Sequence, residues 1–209
     1  MSASRFPALF TGLAVATLLV AAFAAGFFWL SPTPEPRYAT LLPEPRALPE
    51  FTLVDEQGQP WTHESLTGNW DVLFFGFTHC PDICPASLGT LAATLRLLEE
   101  RGKARPNAVF VSVDPARDDV ARVAEYAGWF HPDMRGVTGA LDAIDDFAGA
   151  AAIGVVRHDE NEHGEYMVDH TTSLVLVDPQ GRIAGYISAP LRAAEIAHDL
   201  EILMSQRKR

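Results

Sequence analysis

Residues 75–85 read FGFTHCPDICP and contain both cysteines of the 209-residue chain, Cys80 and Cys84. The apolar run 72–77 predicts a buried strand, and the segment after Pro85 predicts a helix. The thiols therefore lie at a predicted strand-to-helix junction, where backbone N–H groups favour thiolates. A structural disulfide is the alternative, but closing so short a loop would constrain little chain entropy. The pair indicates thiol or metal chemistry.

The N-terminal 30 residues differ from the rest of the chain. Residues 8–30 carry no charge, and this run of about 23 is long enough to cross a bilayer. Arg5 precedes it and the next basic residue is Arg37, so the positive-inside rule places the N-terminus in the cytoplasm. We predict one transmembrane helix that anchors the protein, within residues 1–30, in a bacterial inner membrane, with the remainder facing the periplasm. A signal peptide cleaved near residues 22–24 is the alternative.

The composition of residues 31–209 predicts a linker followed by one domain, and the net charge of the chain argues against some classes of partner. Proline-rich patches predict a semi-rigid linker over residues 31–49, and residues 50–209 have the size of one domain. The formal net charge of −11 argues against nucleic acid or an anionic membrane surface as a partner.

The predicted elements of that domain alternate between strand and helix. They are a hairpin of 51–54 with Trp61, a strand 72–77, a helix ending at Glu100, a strand 108–113, helices 120–130 and 141–150, strands 166–168, 173–177 and 182–187, and a helix 191–204. A β-α-β-α unit followed by a β-β-α unit is the order of a thioredoxin-like α/β fold.

The spacing of the cysteines departs from the usual oxidoreductase motif, because three residues separate them instead of two. We expect Pro85 to push Cys84 out of helical geometry. Both sulfurs then face a point in front of the helix, where two thiolates can share a soft metal ion. Such an ion needs a further ligand. A closed zinc site suits the chain less, since it takes four protein ligands.

Seven histidines are available as that further ligand. The sequence context predicts solvated side chains for five of them: His63, His131, His158, His163 and His198. His79, at the end of a strand, should point away from the side chain of its neighbour Cys80. His170 directly precedes strand 173–177, whose start faces the cysteine loop in a thioredoxin-like sheet. It is therefore the best-placed candidate.

Three motifs together resemble the Sco/SenC family of membrane-anchored copper proteins. They are residues 75–85, VDPARD at 113–118 and VDHT at 168–171, and the similarity extends over about residues 50–203. The resemblance implies a thioredoxin-like fold with an added N-terminal β-hairpin, and one bound copper ion. It also implies a role in building the dinuclear copper centre of cytochrome c oxidase. The partners would be the copper-centre subunit of the oxidase and a periplasmic copper donor.

The same resemblance assigns roles to individual residues. Cys80, Cys84 and His170 resemble the family's ligands for Cu(I) or Cu(II). Asp114 matches an acidic residue of the family thought to act near the site. Its alternative role is the cap of an Asp-Pro turn at a strand end.

Two functions remain open from the sequence. One is a metallochaperone that delivers copper, and the other is a thiol–disulfide oxidoreductase in which Cys80 and Cys84 reduce the target's cysteines. Ordinary thioredoxins have a cis-proline before the strand opposite the active site, where it docks substrate peptide. Residues 169–172 read DHTT instead. An imidazole in that place favours metal binding over the docking of a substrate peptide. A thiol peroxidase would need a Thr and Arg constellation that we do not find.

Overall fold

An eight-stranded mixed sheet forms the centre of the structure. The computed structural model describes Thr17 and residues 19–23, 34–162 and 166–206. The strands of the sheet are β1 (Thr40–Ala47), β2 (Leu53–Asp55), β3 (Pro60–Trp61), β4 (Asp71–Gly76), β5 (Asn107–Ser112), β6 (Met134–Thr138), β9 (Leu174–Val177) and β10 (Arg182–Ile187). Their order is β1-β10-β9-β4-β5-β6-β2-β3. A separate antiparallel hairpin pairs β7 (Val155–Arg157) with β8 (Val168–His170).

The central strands β4, β5 and β6 run parallel, and every other pairing is antiparallel. Four helices connect or follow the strands: α1 (Ile83–Glu100), α2 (Val120–Phe130), α3 (Leu141–Ala150) and α4 (Ala193–Gln206). A short 3-10 helix spans His63–Leu66.

The two faces of β4 are buried by different helices, because successive side chains of a strand point to opposite sides. Phe75 packs against Phe147 of α3, with ring centroids 5.6 Å apart. Phe74 and Gly76 point to the other face, where α1 packs against α4. All six residues of β4 are buried, as is usual for a central strand covered on both faces.

The parallel pairing of β4 with β5 brings their carboxyl ends together. Gly76 lies opposite Ser112 at the last pair of the ladder. The segment that follows β4 carries the cysteines, and the segment that follows β5 carries the VDPARD motif. The two segments therefore meet at one edge of the sheet.

The predicted linker, residues 31–49, is too long. Within it, β1 pairs with β10, and as an edge strand β1 tolerates Pro43 and Pro45. The buried carboxylate of Asp199 in α4 also accepts the backbone N–H groups of residues 37–39, at 2.7 to 3.1 Å. The folded unit therefore begins at Glu35 and not at residue 50.

Most other predicted elements of the domain are confirmed. The N-terminal hairpin is β2 with β3, and α2, α3 and β10 have the predicted bounds. Strands β6 and β7 are not predicted from the sequence. The strand predicted at 166–168 lies two residues later, so that His170 is the last residue of β8.

The predicted membrane anchor lies mostly outside the described residues. Thr17 and residues 19–23 are helical. No helix in the described part of the chain has both the length and the apolar character needed to cross a bilayer.

Candidate functional site

The two cysteines lie at the junction between β4 and α1, as predicted. The backbone N–H of Cys80 donates to the Phe77 carbonyl at 3.2 Å, which closes a tight turn. The backbone N–H of Cys84 donates to the Cys80 sulfur at 3.5 Å. The Cys80 sulfur thus lies at the N-terminus of α1, where free N–H groups accumulate.

The prediction that Pro85 displaces Cys84 from the helix is wrong. Cys84 is the second residue of α1 and Pro85 the third. The first N–H groups of a helix have no partner within it, so a proline in the first turn costs no hydrogen bond.

The Cys84 sulfur occupies space that a side chain at position 76 would fill. Cys84 is fully buried, and a Cβ added to Gly76 would lie 2.8 Å from its sulfur. Since real Cβ contacts are not that close, a glycine at position 76 allows this placement of Cys84.

His170 reaches this sulfur from the β7–β8 hairpin. Its Nε2 lies 3.3 Å from Cys84 Sγ, and its Nδ1 lies 3.1 Å from the Thr171 carbonyl oxygen. A carbonyl oxygen only accepts, so we assign the proton to Nδ1, and the lone pair of Nε2 then faces the sulfur. The rings of Phe74 and Phe77 lie nearly perpendicular to the imidazole, with centroids 5.9 and 6.1 Å from its own.

Burial controls the protonation of this pair in the metal-free protein. Burial raises the pKa of the Cys84 thiol, and the neighbouring Cys80 adds to that rise. The thiolate is therefore disfavoured at Cys84 in the metal-free protein, because desolvation outweighs the backbone hydrogen bond at Phe77 that lowers the pKa. Burial also lowers the pKa of His170, which keeps the imidazole neutral and able to act as a ligand.

The predicted three-ligand set is partly assembled. Cys84 and His170 are in contact, while Cys80 lies four residues before Cys84, in the loop ahead of α1, and is 8% exposed. Within the residues that the structure describes, no three His, Cys, Asp or Glu side chains already surround one point as metal ligands do. The two sulfurs are nevertheless soft donors of the kind that Cu(I) selects, and an imidazole nitrogen is also a suitable copper ligand.

Asp114 lies beside the site and touches none of the three candidate ligands through the contacts we observe. Its carboxylate is buried and accepts hydrogen bonds from Arg117 Nε and from the Tyr166 hydroxyl, both at 2.5 Å. The Arg117 guanidinium lies over the Phe77 ring at 5.6 Å, and Phe77 in turn contacts His170. Asp114 thus reaches the site through its neighbours.

Asp118 fixes the cysteine loop through hydrogen bonds that the sequence alone does not predict. It is fully buried, and its Oδ2 accepts from the Thr78 N–H at 2.9 Å and from the Ser112 hydroxyl at 2.6 Å. Its Oδ1 accepts from the Thr78 hydroxyl at 2.6 Å. The only signal was its place in the VDPARD motif, since its partner Thr78 lies 40 residues away in sequence.

Of the other histidines, His79, His158 and His198 follow the predictions, whereas His63 is half-buried beside Gly181. His79 contacts Thr78 Oγ1 at 3.2 Å, and His198 is exposed. His158 pairs with Asp169 at 2.7 Å. His163 lies outside the described residues. His131 was expected to be solvated, but it is buried at the end of α2.

Comparison with known proteins identifies the same family that the three sequence motifs resemble. The SCO1/SenC family model matches residues 40–205. A putative copper-binding protein of Stutzerimonas stutzeri is 38% identical over 152 residues, which are 73% of this chain and 74% of the relative. The mitochondrial SCO2 homolog of Mus musculus is 33% identical over 199 residues, 90% of this chain and 78% of the relative.

A solved structure shares the fold. The crystal structure of Arabidopsis thaliana ScoI with copper bound superposes with a TM-score of 0.71 at 33% identity, covering 76% of this chain and 98% of that one. The match confirms the thioredoxin-like α/β fold that the order of the elements predicted. Because the family model spans most of the chain and the relatives agree, this protein belongs to the SCO1/SenC family.

Proposed function

We propose that the protein binds one copper ion through Cys80, Cys84 and His170. The observation that carries this proposal is the 3.3 Å approach of His170 Nε2 to Cys84 Sγ, with the Nε2 lone pair facing the sulfur. Two sulfurs suit Cu(I), and the imidazole nitrogen makes Cu(II) acceptable as well. Copper here is a cargo that the protein takes up and passes on.

The chain's own groups set the conditions for uptake. Cys84 must lose its proton, because only a thiolate binds the metal. The Thr171 carbonyl holds the His170 proton on Nδ1, so that Nε2 needs no deprotonation. Cys80 lies at the more exposed side of the pair and would complete the ligand set by turning its sulfur towards that of Cys84.

A copper titration of the purified chain tests the ligand set. We expect one Cu(I) per reduced chain in competition with a colorimetric chelator. Cys80→Ser and Cys84→Ser should each lose binding by about a hundredfold or more, because a hydroxyl replaces a soft ligand. Wild-type affinity in either variant would contradict the assignment, provided that circular dichroism shows the variant folded.

We further propose that the cargo goes to the copper-centre subunit of cytochrome c oxidase and comes from a periplasmic donor. The support is membership in the SCO1/SenC family together with the soft ligand set. Mixing the copper-loaded chain with that subunit should move copper to it. A subunit that stays metal-free, while accepting copper from a small-molecule complex, would contradict delivery.

The alternative function, reduction of the target's cysteines, rests on the different exposure of the two thiols. Cys80 is 8% exposed and Cys84 is fully buried, an arrangement that suits an attacking and a resolving cysteine. The Cys80 thiolate would attack a target disulfide, and Cys84 would then release the target as a dithiol and leave Cys80–Cys84 oxidised. Cys84→Ser should trap the mixed disulfide on Cys80. If none forms with an oxidised target, this function is excluded.

We also propose that the N-terminal residues anchor the protein in the bacterial inner membrane, with the copper domain in the periplasm. The uncharged run 8–30 and the placement of Arg5 support this. A reporter that is active only after export, fused after Arg209, should be active. Activity of a cytoplasmic reporter at the same place would contradict the topology, and recovery of a chain lacking its first 24 residues would contradict the anchor.

A further inference from the structure

The turn Val113–Asp118 joins the carboxyl end of β5 to the start of α2, and it is held rigid by its own hydrogen bonds. The N–H groups of Arg117 and Asp118 both donate to the Asp114 carbonyl, at 3.2 and 3.0 Å. The Asp114 N–H donates to the Ser112 hydroxyl at 3.1 Å. The carboxylates at the two ends of the turn are therefore fixed relative to each other.

One end of this turn holds the loop that carries Cys80. Asp118 accepts both the N–H and the hydroxyl of Thr78, two residues before Cys80. The Thr78 hydroxyl also accepts a hydrogen bond from Arg122 Nε at 2.8 Å. Thr78 is thus fixed through its backbone and through its side chain, and the start of the cysteine loop follows the position of Asp118.

The other end of the turn holds the hairpin that carries His170. Arg157 of β7 donates to the Val113 carbonyl from Nε at 3.0 Å and from Nη2 at 2.7 Å. Tyr166, just before β8, donates its hydroxyl to Asp114. Arg117 donates to the Tyr166 carbonyl at 3.0 Å, and its guanidinium stacks on the Tyr166 ring at 3.6 Å.

We propose that the turn Val113–Asp118 is a clamp that sets the separation between Cys80 and His170, and that Asp118 is the positioning residue for Cys80. The inference rests on the proposed copper site and specifies what brings its ligands together. Cys84 needs no such help, because α1 and the space at Gly76 already hold its sulfur.

The physical argument is preorganisation. Cys80 lies in a loop, and a loop residue that must find its place during metal binding loses affinity through ordering. A buried carboxylate that accepts three hydrogen bonds has little freedom, and the two that come from Thr78 pass that restraint to the loop. Without Asp118, the Thr78 N–H would be left without this acceptor and the start of the loop would be free to move.

Two adjacent aspartates provide a matched test. Asp118 is buried and faces Thr78, whereas Asp119 is exposed and caps α2 by accepting the Arg122 N–H at 2.8 Å. Asn replaces Asp well at a helix cap, so Asp119→Asn should leave the site unchanged. In Asp118→Asn the amide group cannot accept at both positions that the carboxylate oxygens fill.

The measurement is Cu(I) affinity together with the sulfur-to-Cu(II) charge-transfer absorption of the purified full chain. We expect Asp118→Asn to bind about 10- to 100-fold more weakly and to shift the absorption band, as removal of outer partners of metal ligands does. Asp119→Asn should stay within about twofold of wild type and keep the band. In the metal-free chains, exchange of the Thr78 amide should speed up about tenfold or more in Asp118→Asn alone.

Thr78→Val is the second variant, in case Asp118→Asn does not fold. It keeps the backbone contact to Asp118 and loses the hydroxyl contacts, so its affinity should fall between those of Asp118→Asn and wild type. A wild-type chain that binds no copper would overturn the proposed function. A wild-type chain that binds copper, with Asp118→Asn or Thr78→Val matching Asp119→Asn in affinity and spectrum, would overturn the clamp alone.

Discussion

The two ends of strand β4 lie beside buried carboxyl groups in contrasting surroundings. At the amino end, Asp71 accepts from Asn107 Nδ2 at 3.0 Å through one oxygen, and its other oxygen has no hydrogen-bond partner among the described residues. Beside the carboxyl end, both oxygens of Asp118 accept hydrogen bonds, from Thr78 and Ser112. Asp71 is 1% exposed and Asp118 0%.

The comparison shows that burial alone does not decide what a carboxyl group does. With one donor, burial raises the pKa of Asp71 to about 7, so its ionisation opposes folding at neutral pH. With three donors, Asp118 links two loops. Asp118 lies at the end of the sheet that carries the candidate ligands, and Asp71 lies at the opposite end.

Oxidation of the two cysteines should produce the largest loss of copper binding. This effect concerns only the carboxyl end of β4, where the cysteines lie. A Cys80–Cys84 disulfide offers no thiolate, so the oxidised chain should bind essentially no copper while the reduced chain binds one ion. The measurement is copper per chain, with the redox state of the cysteines determined by mass spectrometry. Tight binding by a chain whose disulfide is intact would show that the thiols are not the ligands.

Gly76→Ala should disturb the packing at the carboxyl end of β4. The new Cβ would lie 2.8 Å from Cys84 Sγ and 3.0 Å from Phe74, so the sulfur must move away. We expect a loss of about 1–3 kcal/mol in the free energy of unfolding, measured with urea, together with weaker copper binding. Gly89→Ala in α1 is the control, since nothing lies within 4 Å of its new Cβ. Unchanged copper binding in a folded Gly76→Ala chain would contradict the placement of Cys84.

Asp71→Asn should change stability at the amino end and leave copper binding alone. The raised pKa means that the contribution of Asp71 to stability is fully present below about pH 4 and is lost as pH rises through about 7. The Asn variant lacks this loss and should be about 1–2 kcal/mol more stable than wild type at pH 8, with the advantage gone near pH 4.

The control for this variant is Asp146→Asn, an exposed aspartate of α3. It should show no comparable pH-dependent gain in urea unfolding. An Asp71→Asn advantage that does not depend on pH would mean that the buried charge is not its cause.

The sequence predicted those elements whose pattern is local and strong. Helices α2 and α3 have clear helical spacing, and β10 follows a recognisable turn. The proline-rich sequence of strand β1 predicts a linker, and only its pairing with β10 makes it a strand. Strand β6 is short, and it lies against α2 so closely that a Cβ at Gly136 would come within 2.5 Å of the Val123 carbonyl oxygen.

For the site, the motifs predicted which residues meet and not what surrounds them. The contact between Cys84 and His170 follows the prediction. The role of Asp118 depends on a contact across 40 residues, and the raised pKa of Cys84 depends on burial. Neither can be read from local sequence, because both arise only when separate elements of the chain pack together.

The most direct test of the copper site compares two histidines that differ in position. His170 contacts Cys84, whereas His198 is exposed on α4. Copper titration of His170→Ala should show Cu(I) affinity about tenfold or more below wild type and a changed Cu(II) spectrum, because an imidazole ligand is lost. His198→Ala should match wild type in both. A His170→Ala chain that keeps wild-type affinity and spectrum would contradict the assignment of His170 as a copper ligand.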